Sequence, residues 1–392
     1  MGFAKLERAA LCAALDAVDP GAPTLCEGWN AHDLAAHLWL RENDPLSMPG
    51  MFLPALSGVT RSRTGSEAKA RVIVPMAFRQ LPFLAQSDEK TVSVYVGIPF
   101  CLTRCLYCSF PSNILPGRKR IAEFMTVLEK DLLAAKEAID HYGFRVQNIY
   151  VGGGTPTSLS AAQLEQLMSH IAKTFDLAKL DEYTVEAGRP DCTDAEKLRI
   201  IKKYGATRIS INPQTFSDQV LQNIGRRHTA QDIIDCFAAA RAAGHKNINM
   251  DLIAGLPGDT VEGFRHSLQT AIDLDPENIT VHTLTLKRAS NLVVEHRDAD
   301  YADVAAMVES CELLEKAGYR PYYLYRQKGT LQNLENVGWC KPGHEGYYNI
   351  YIMEEVQTIL SAGAGGSTKL VADGGKRMQR IFNFKYPNEY IQ

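Results

Sequence analysis

From about Thr91 onward, short runs rich in β-branched and aromatic residues alternate with amphipathic runs of helical length, and this alternation constrains the fold more than any other feature of the chain. The strand-like runs are 92–98, 146–151, 182–187, 207–211, 248–253 and 279–284. Between them lie helix-like runs near 118–141, 161–175, 193–204, 217–243 and 260–273. Such alternation predicts βα units around a parallel sheet. Six strands with one helix layer predict an α/β fold, an incomplete parallel (β/α)6 barrel. An open doubly wound sheet is the alternative that periodicity leaves standing. In either case functional groups collect at the carboxyl ends of the strands.

The 392 residues, 45% hydrophobic, suffice for two or three domains with a large core. Residues 1–65 read as a small helical N-terminal segment. Phe3, Leu6, Ala10 and Ala14 share a helical face until Asp19-Pro20-Gly21, and a second helix starts near Asn30. The stretch 60–71 is polar and without a core-forming period, so 66–90 reads as a linker, 91–290 as the barrel and 291–392 as an α+β extension on the substrate side. A net charge of −3 without a long basic run argues against sequence-independent nucleic-acid binding. No apolar run approaches the ~18 residues of a membrane span. The start of the chain lacks the basic-then-apolar pattern of a leader, so a cytoplasmic location is expected. Nine cysteines cannot all pair within one chain. Three fall within 101–108 and the rest are scattered, which suits a reducing compartment and one metal site.

That metal site is the loop after the first strand, with Cys101, Cys105 and Cys108 at spacing C-x-x-x-C-x-x-C. Three thiolates can hold three irons of a 4Fe–4S cluster and leave the fourth iron open to a small molecule. A structural zinc ion would ask for a fourth Cys or His nearby. The next cysteines, Cys192 and Cys236, form no matching pair, and with Cys311 and Cys340 they read as packing residues.

This spacing, within the longer string Gly97-Ile-Pro-Phe-Cys101-Leu-Thr-Arg-Cys105-Leu-Tyr-Cys108-Ser-Phe110, resembles the radical S-adenosylmethionine (SAM) superfamily. Within it, the string is similar to the branch of oxygen-independent coproporphyrinogen III oxidases and the related coproporphyrinogen dehydrogenases. The resemblance runs over about 71–392. It implies a radical SAM barrel, a 4Fe–4S cluster and SAM, and cleavage of SAM to a 5′-deoxyadenosyl radical that takes hydrogen from the substrate. It further implies oxidative decarboxylation of the propionates of coproporphyrinogen III in haem biosynthesis, with an electron donor such as flavodoxin or ferredoxin. A haem-binding chaperone on the same fold, or a radical methyltransferase, are the alternatives.

The resemblance also assigns residues. Cys101, Cys105 and Cys108 carry the catalytic metal. Gly152-Gly153-Gly154-Thr155-Pro156-Thr157 is similar to a GGGTPT motif that contacts the SAM amino group, which implicates Gly153, Gly154 and Thr155. Glu186 ends the third strand, where the family places a SAM-binding carboxylate. Gln214 and Arg226 match polar positions after the fourth strand. Asp251, in Asp251-Leu-Ile-Ala-Gly255-Leu-Pro257, is a partner for a cofactor or substrate nitrogen. Phe110 is expected near the adenine, and Tyr95 precedes the cysteines. The best-known oxidases carry Tyr-x-His there, whereas position 97 is Gly. For a porphyrinogen-like tetracarboxylate, Arg326, Lys341 and the tyrosines at 322, 323 and 325 offer cations and planar surface. Barrel members of the family carry a further C-terminal region, so the substrate cap is expected to be incomplete. Finally, 23–38 is similar to the start of the four-helix metalloproteins that include mycothiol-dependent maleylpyruvate isomerases. There a His matching His37 joins later histidines on a metal. Those later helices are not recognisable, so a truncated segment without a part in the radical chemistry is expected.

Overall fold

The computed structural model describes residues 67–108, 110, 113–286, 290, 303–325, 327, 330–375 and 377–392. The N-terminal segment with its His37, and Arg326, lie outside the described residues.

The chain divides into two units. In the first, helix α1 (Glu67–Gln86) occupies most of the stretch read as a linker. Met76 and Gln80, one turn apart, are buried. Arg79 and Gln80 donate hydrogen bonds to the carbonyls of Pro321 and Tyr322, at 3.1 Å each. Only its first residues fall in the polar stretch 60–71; from Val72 to Ala85 the sequence of the helix is largely apolar.

The second unit is built on strands β1 (Thr91–Ile98), the short pair β2 (Phe100–Cys101) and β3 (Asn113–Ile114), β4 (Arg145–Gly153), β5 (Glu182–Glu186), β6 (Arg208–Ser210), β7 (Ile248–Ala254) and β8 (Asn278–Thr283). They are followed by β9 (Arg320–Tyr325), whose first three residues count with the first unit, β10 (Asn336–Cys340), β11 (Thr358–Ala362), β12 (Ser367–Ala372) and β13 (Arg377–Phe382). One sheet runs in the order β13-β12-β11-β1-β4-β5-β6-β7-β8-β10-β9. All six predicted strands are present, side by side and parallel. The C-terminal region does more than cap them. Strand β11 pairs in parallel with β1, and β10 pairs antiparallel with β8, so the sheet is extended at both edges, in parallel at one and antiparallel at the other.

Strands buried on both faces read as continuous apolar runs rather than alternating ones. In β1 every residue but Tyr95 is buried. The crossovers are helices α2 (Arg118–Tyr142), α3 (Ala161–Thr174), α4 (Ala195–Lys203), α5 (Asp218–Asn223), α6 (Ala230–Ala242) and α7 (Val261–Asp273). Their starts are fixed by side chains that satisfy free amides. Ser160 with Gln163, and Thr229 with Asp232, form reciprocal caps, while Asp194 and Thr260 accept from the amides of Lys197 and Gly263. Helix α3 buries Leu164, Leu167, Met168 and Ile171, each worth about 1.5–3 kcal/mol of transfer free energy.

The single helix expected over 217–243 is two, α5 and α6. Gly225 adopts φ +77°, a left-handed conformation that ends α5, and Thr229 starts α6 afresh. The break turns Arg226 and His228 inward, where both are buried.

Candidate active site

Tyr183 donates to the sulfur of Met168 on α3 at 3.4 Å, so odd positions of β5 face the helices. Glu182, Thr184 and Glu186 therefore share the opposite face. The cysteine loop, the glycine run and Glu186 lie at the carboxyl ends of β1, β4 and β5.

The cysteine loop leaves β1 through Pro99 and is pinned from three sides. The Asn113 amide bonds the Pro99 carbonyl at 2.7 Å, the Leu115 amide bonds that of Cys101 at 2.9 Å, and the Leu106 amide bonds that of Ile224 at 3.0 Å. The Gly run packs on its start. The amides of Gly154 and Thr155 donate to the carbonyls of Ile98 and Phe100, at 2.7 and 2.8 Å. A Cβ on Gly154 would stand 2.6 Å from the Phe100 carbonyl oxygen and 3.0 Å from the Cys101 sulfur. What the glycine admits here is thus the cysteine strand itself. At Gly153, likewise, a Cβ would meet the Ile98 carbonyl at 2.8 Å. Thr155 Oγ1 lies 3.4 Å from Cys101 Sγ.

The three thiols share one electrostatic space. Burial pushes the Cys101 pKa up, the Thr155 hydrogen bond lowers it, and the charges of Cys108 and Cys105 raise it again. Among the described residues no three His, Cys, Asp or Glu side chains converge as a single ion would require. A cluster asks for something else, because each thiolate then binds a different iron around a larger volume.

Two buried arginines supply counter-charge, and only one was anticipated. Arg189 donates to both oxygens of Asp191 at 2.9 and 2.6 Å, and to the Thr103 carbonyl and hydroxyl at 2.8 Å each. Its Nη1 lies 3.8 Å from Cys105 Sγ. Arg226 donates to the Asn212 carbonyl at 2.7 Å and the Tyr107 hydroxyl at 3.1 Å, and it also bonds Cys105. Its buried Nε has no partner among the described residues. Two guanidinium groups beside this sulfur supply positive charge close to where an anionic centre would sit. The donor set, its flanking cations and this orphaned N–H therefore fit an anionic iron–sulfur centre with a polar ligand. Arg189 was legible only as one residue after a strand, since nothing local announces its approach to Cys105.

Glu186, at the end of β5, lies beside the glycine run, 3.1 Å from where a Cβ on Gly152 would stand. It accepts from Tyr150 at 2.7 Å and from the Gly153 amide. Burial, together with the charge of Asp251, raises its pKa to about 7. Burial likewise opposes the charge on Asp251, but the hydrogen bond and charge of His282 and bonds from Asn249 and Thr280 hold its pKa below the usual range. The Asp251–His282 distance is 3.6 Å, and His282 Nδ1 lies 3.1 Å from the Tyr325 hydroxyl. Tyr95 and Tyr150 are register partners on β1 and β4, and with Tyr348 they form a stack with centroids 4.4 to 6.4 Å apart. Tyr150, Tyr348 and His282 were not anticipated; the strand positions of Tyr150 and His282, alternating with core residues, would have shown which face they take, whereas Tyr348 lies on the short helix Tyr347–Met353.

Gln214 adopts φ +68°, and its backbone bridges the Asp251 carbonyl and the Ile253 amide, so it extends β6 beside β7. A left-handed non-glycine residue costs on the order of 1–3 kcal/mol and clusters at functional sites. Phe110 is 62% exposed. Lys341 is placed elsewhere. Its ammonium sits 2.6 Å from Asp275, and its amide bonds Glu277 just before β8, so it belongs to the amino end of the sheet. The register of β10 against β8 carries it there. Tyr322 is a buried packing residue; Tyr323, also buried, stacks on Tyr325 with its hydroxyl 3.3 Å from Thr280 Oγ1, and Tyr325 reaches His282. At position 97 a Cβ would already stand 3.3 Å from the Tyr95 ring and 3.5 Å from the Ala362 carbonyl, so β11 leaves little room for a larger side chain there.

Residues 95–271 match the model of the radical SAM superfamily. The chain is 44% identical over 324 residues to the oxygen-independent coproporphyrinogen-III oxidase-like protein HemZ of Bacillus subtilis, covering 81% of this chain. It spans 64% of HemZ's length. It is 32% identical over 290 residues to the heme chaperone HemW of Lactococcus lactis, covering 71% of this chain and 70% of that protein. The structure of coproporphyrinogen III oxidase (HemN) from Escherichia coli, a radical SAM enzyme, superposes with a TM-score of 0.62 at 23% identity, over 80% of this chain and 71% of that one. Fold, motif order and these identities converge on one conclusion: the chain belongs to the radical SAM superfamily, whose cofactors are a 4Fe–4S cluster and SAM, in the branch that contains the HemZ-like proteins and the HemW chaperones.

Proposed function

We propose that the chain carries out oxygen-independent oxidative decarboxylation of a porphyrinogen propionate. The observation that carries this reading is the convergence, at one end of the sheet, of the three-thiol loop with two carboxylates that feel each other's charge, Glu186 and Asp251. Bound at the loop, a reduced 4Fe–4S cluster supplies the electron that cleaves SAM to a 5′-deoxyadenosyl radical. Cys101, Cys105 and Cys108 hold the irons, while Arg189 and Arg226 offset the charge of the thiolates. Glu186, ionised, accepts from the ribose hydroxyls or the amino group of SAM. Asp251 is kept ionised among His282, Asn249 and Thr280, and so can accept an N–H from the cofactor or from a pyrrole. The tyrosine stack and Tyr325 give a planar ligand apolar walls. Leu102 and Ile114, 37% and 69% exposed beside Cys101, offer an approach for a small electron-donor protein such as flavodoxin or ferredoxin.

The HemW relatives support a second reading, a haem-binding chaperone. One experiment separates the two. The anaerobically reconstituted protein is incubated with SAM, dithionite and coproporphyrinogen III, and separately titrated with haem. Vinyl products together with 5′-deoxyadenosine support the enzyme; stoichiometric haem binding without vinyl products supports the chaperone. The Cys105→Ala variant is expected to lose the iron–sulfur chromophore and SAM cleavage, and wild-type iron and sulfide content in that variant would sink the cluster assignment.

A further inference from the structure

Gly152 opens the glycine run, and its backbone takes no left-handed φ, so the conformation there would accept a side chain. The space would not. A Cβ at 152 would stand 2.7 Å from the Tyr150 ring and 3.1 Å from the Glu186 carboxyl group. In the register of β4 on β5, Tyr150 lies beside Thr184, so it reaches Glu186 along a diagonal that passes position 152. What the first glycine admits is therefore one contact, in which the Tyr150 hydroxyl donates to Glu186 Oε1 at 2.7 Å.

The phenol is itself held in place. Its ring stacks on Tyr348 with centroids 4.4 Å apart and on Tyr95 at 6.1 Å. Burial, and then the charge of Glu186, push the Tyr150 pKa well above the ordinary range, so the group stays protonated and donates. The titratable groups facing Glu186 are Tyr95 from β1, Tyr150 from β4, Asp251 from β7 and Tyr348 from the helix Tyr347–Met353, with His282 of β8 behind Asp251 at 3.6 Å. The charge of Asp251 opposes the ionisation of Glu186, while the hydrogen bonds from Tyr150 and from the Gly153 amide favour it.

We propose that Tyr150 is a positioning residue for SAM, its clamped hydroxyl fixing the orientation and the negative charge of Glu186, with Gly152 keeping open the space in which the two meet. This role rests on the reading above that ionised Glu186 accepts from SAM. The test is calorimetry of SAM binding to the reconstituted full chain between pH 6 and 9, in wild type and in Tyr150→Phe. Without the hydroxyl the carboxylate loses a donor, so the midpoint of the pH dependence should move up by about one unit. Affinity should then fall about fivefold at pH 7 and return to within about twofold of wild type at pH 9. In a Glu186→Gln background the same change should have almost no effect at any pH. A uniform loss at every pH, with the midpoint unmoved, is what a merely structural tyrosine gives, and it overturns the proposal, as does wild-type affinity throughout. Should Tyr150→Phe fold poorly, a ring-fluorinated tyrosine at 150 keeps the packing and donates more strongly. It should move the midpoint downwards, and an unmoved midpoint again overturns the role. If Glu186→Gln alone leaves SAM affinity unchanged, the reading of Glu186 fails first and this role with it; if Glu186→Gln weakens binding but the midpoint ignores Tyr150, only the role of Tyr150 fails.

Discussion

Two glutamates stand at opposite ends of one strand, four residues apart on the same face of β5, and they are treated in opposite ways. Glu182, at the amino end, lies 3.2 Å from the Arg208 guanidinium and accepts the amides of Tyr347 and Tyr348 at 3.1 and 3.3 Å. Arg208 in turn donates to Asn278 and to the carbonyls of His344 and Glu345. Each polar side chain of that cluster has partners within the fold, so it is a structural device. Glu186, at the carboxyl end, accepts from a neutral tyrosine and one amide, faces a second carboxylate, and forms no ion pair among the described residues. A buried acid left without a cation is a poor way to stabilise a fold and a good way to hold a ligand's donors.

The comparison breaks most forcefully at Glu182. Its replacement by Ala leaves Arg208 buried and uncompensated, which should cost about 3–5 kcal/mol of stability. Denaturant unfolding of the cluster-free chain reads this directly. Glu186→Gln should instead leave ligand-free stability unchanged or higher, because it removes an acid that the fold disfavours. The same unfolding assay checks this contrast, and equal destabilisation by both changes would erase the distinction.

Ligand binding gives the next largest effect. Glu186→Ala should weaken SAM affinity ten- to hundredfold, corresponding to the loss of a charge-assisted hydrogen bond of ~1.5–3 kcal/mol. Calorimetry on the reconstituted protein with unchanged affinity would refute the assignment.

A pH series sharpens the same point. The Glu186 pKa is raised in the fold from 4.5 to about 7. Below the unfolded value both states are protonated and nothing is lost. Between the two values the fold retains a proton that the unfolded chain releases, so ligand-free stability falls as pH rises, and it levels off above about 7. SAM binding through the ionised form runs the other way. Affinity should be full above about pH 7 and fall by up to about tenfold per unit beneath it, with the dependence absent in Glu186→Gln.

The smallest effect is expected at Arg189→Lys, which keeps a charge near Cys105 but loses the two-pronged grip on Asp191 and Thr103. A stability loss of about 1–2 kcal/mol with cluster content largely retained is the expected outcome, measured by unfolding and iron analysis. Complete cluster loss would make Arg189 indispensable rather than supportive.

The six parallel strands, the crossover helices and the cysteine loop were legible in the sequence because each is written locally: apolar runs, capping residues and three thiols within eight positions. Even the division of 217–243 was signalled by Gly225 and by Thr229 followed by Asp232, two cues that outweigh helical periodicity. The candidate site was legible in its motif residues but not in its second half. Arg189 meets Cys105 across 84 positions, and Tyr150 meets Glu186 across 36. The edges of the sheet were equally hidden, since β11 reaches β1 from the far end of the chain.

The sequence by itself thus determined where strands and helices form and which thiols can share a cluster, because periodicity and short spacing act over a few residues. Only the tertiary structure decided which charges are neutralised: that Lys341 answers Asp275 rather than a substrate, that Arg208 answers Glu182, and that Glu186 is left without a cation. Desolvation and ion pairing depend on neighbours that strand register brings together from distant parts of the chain, and no local pattern encodes them.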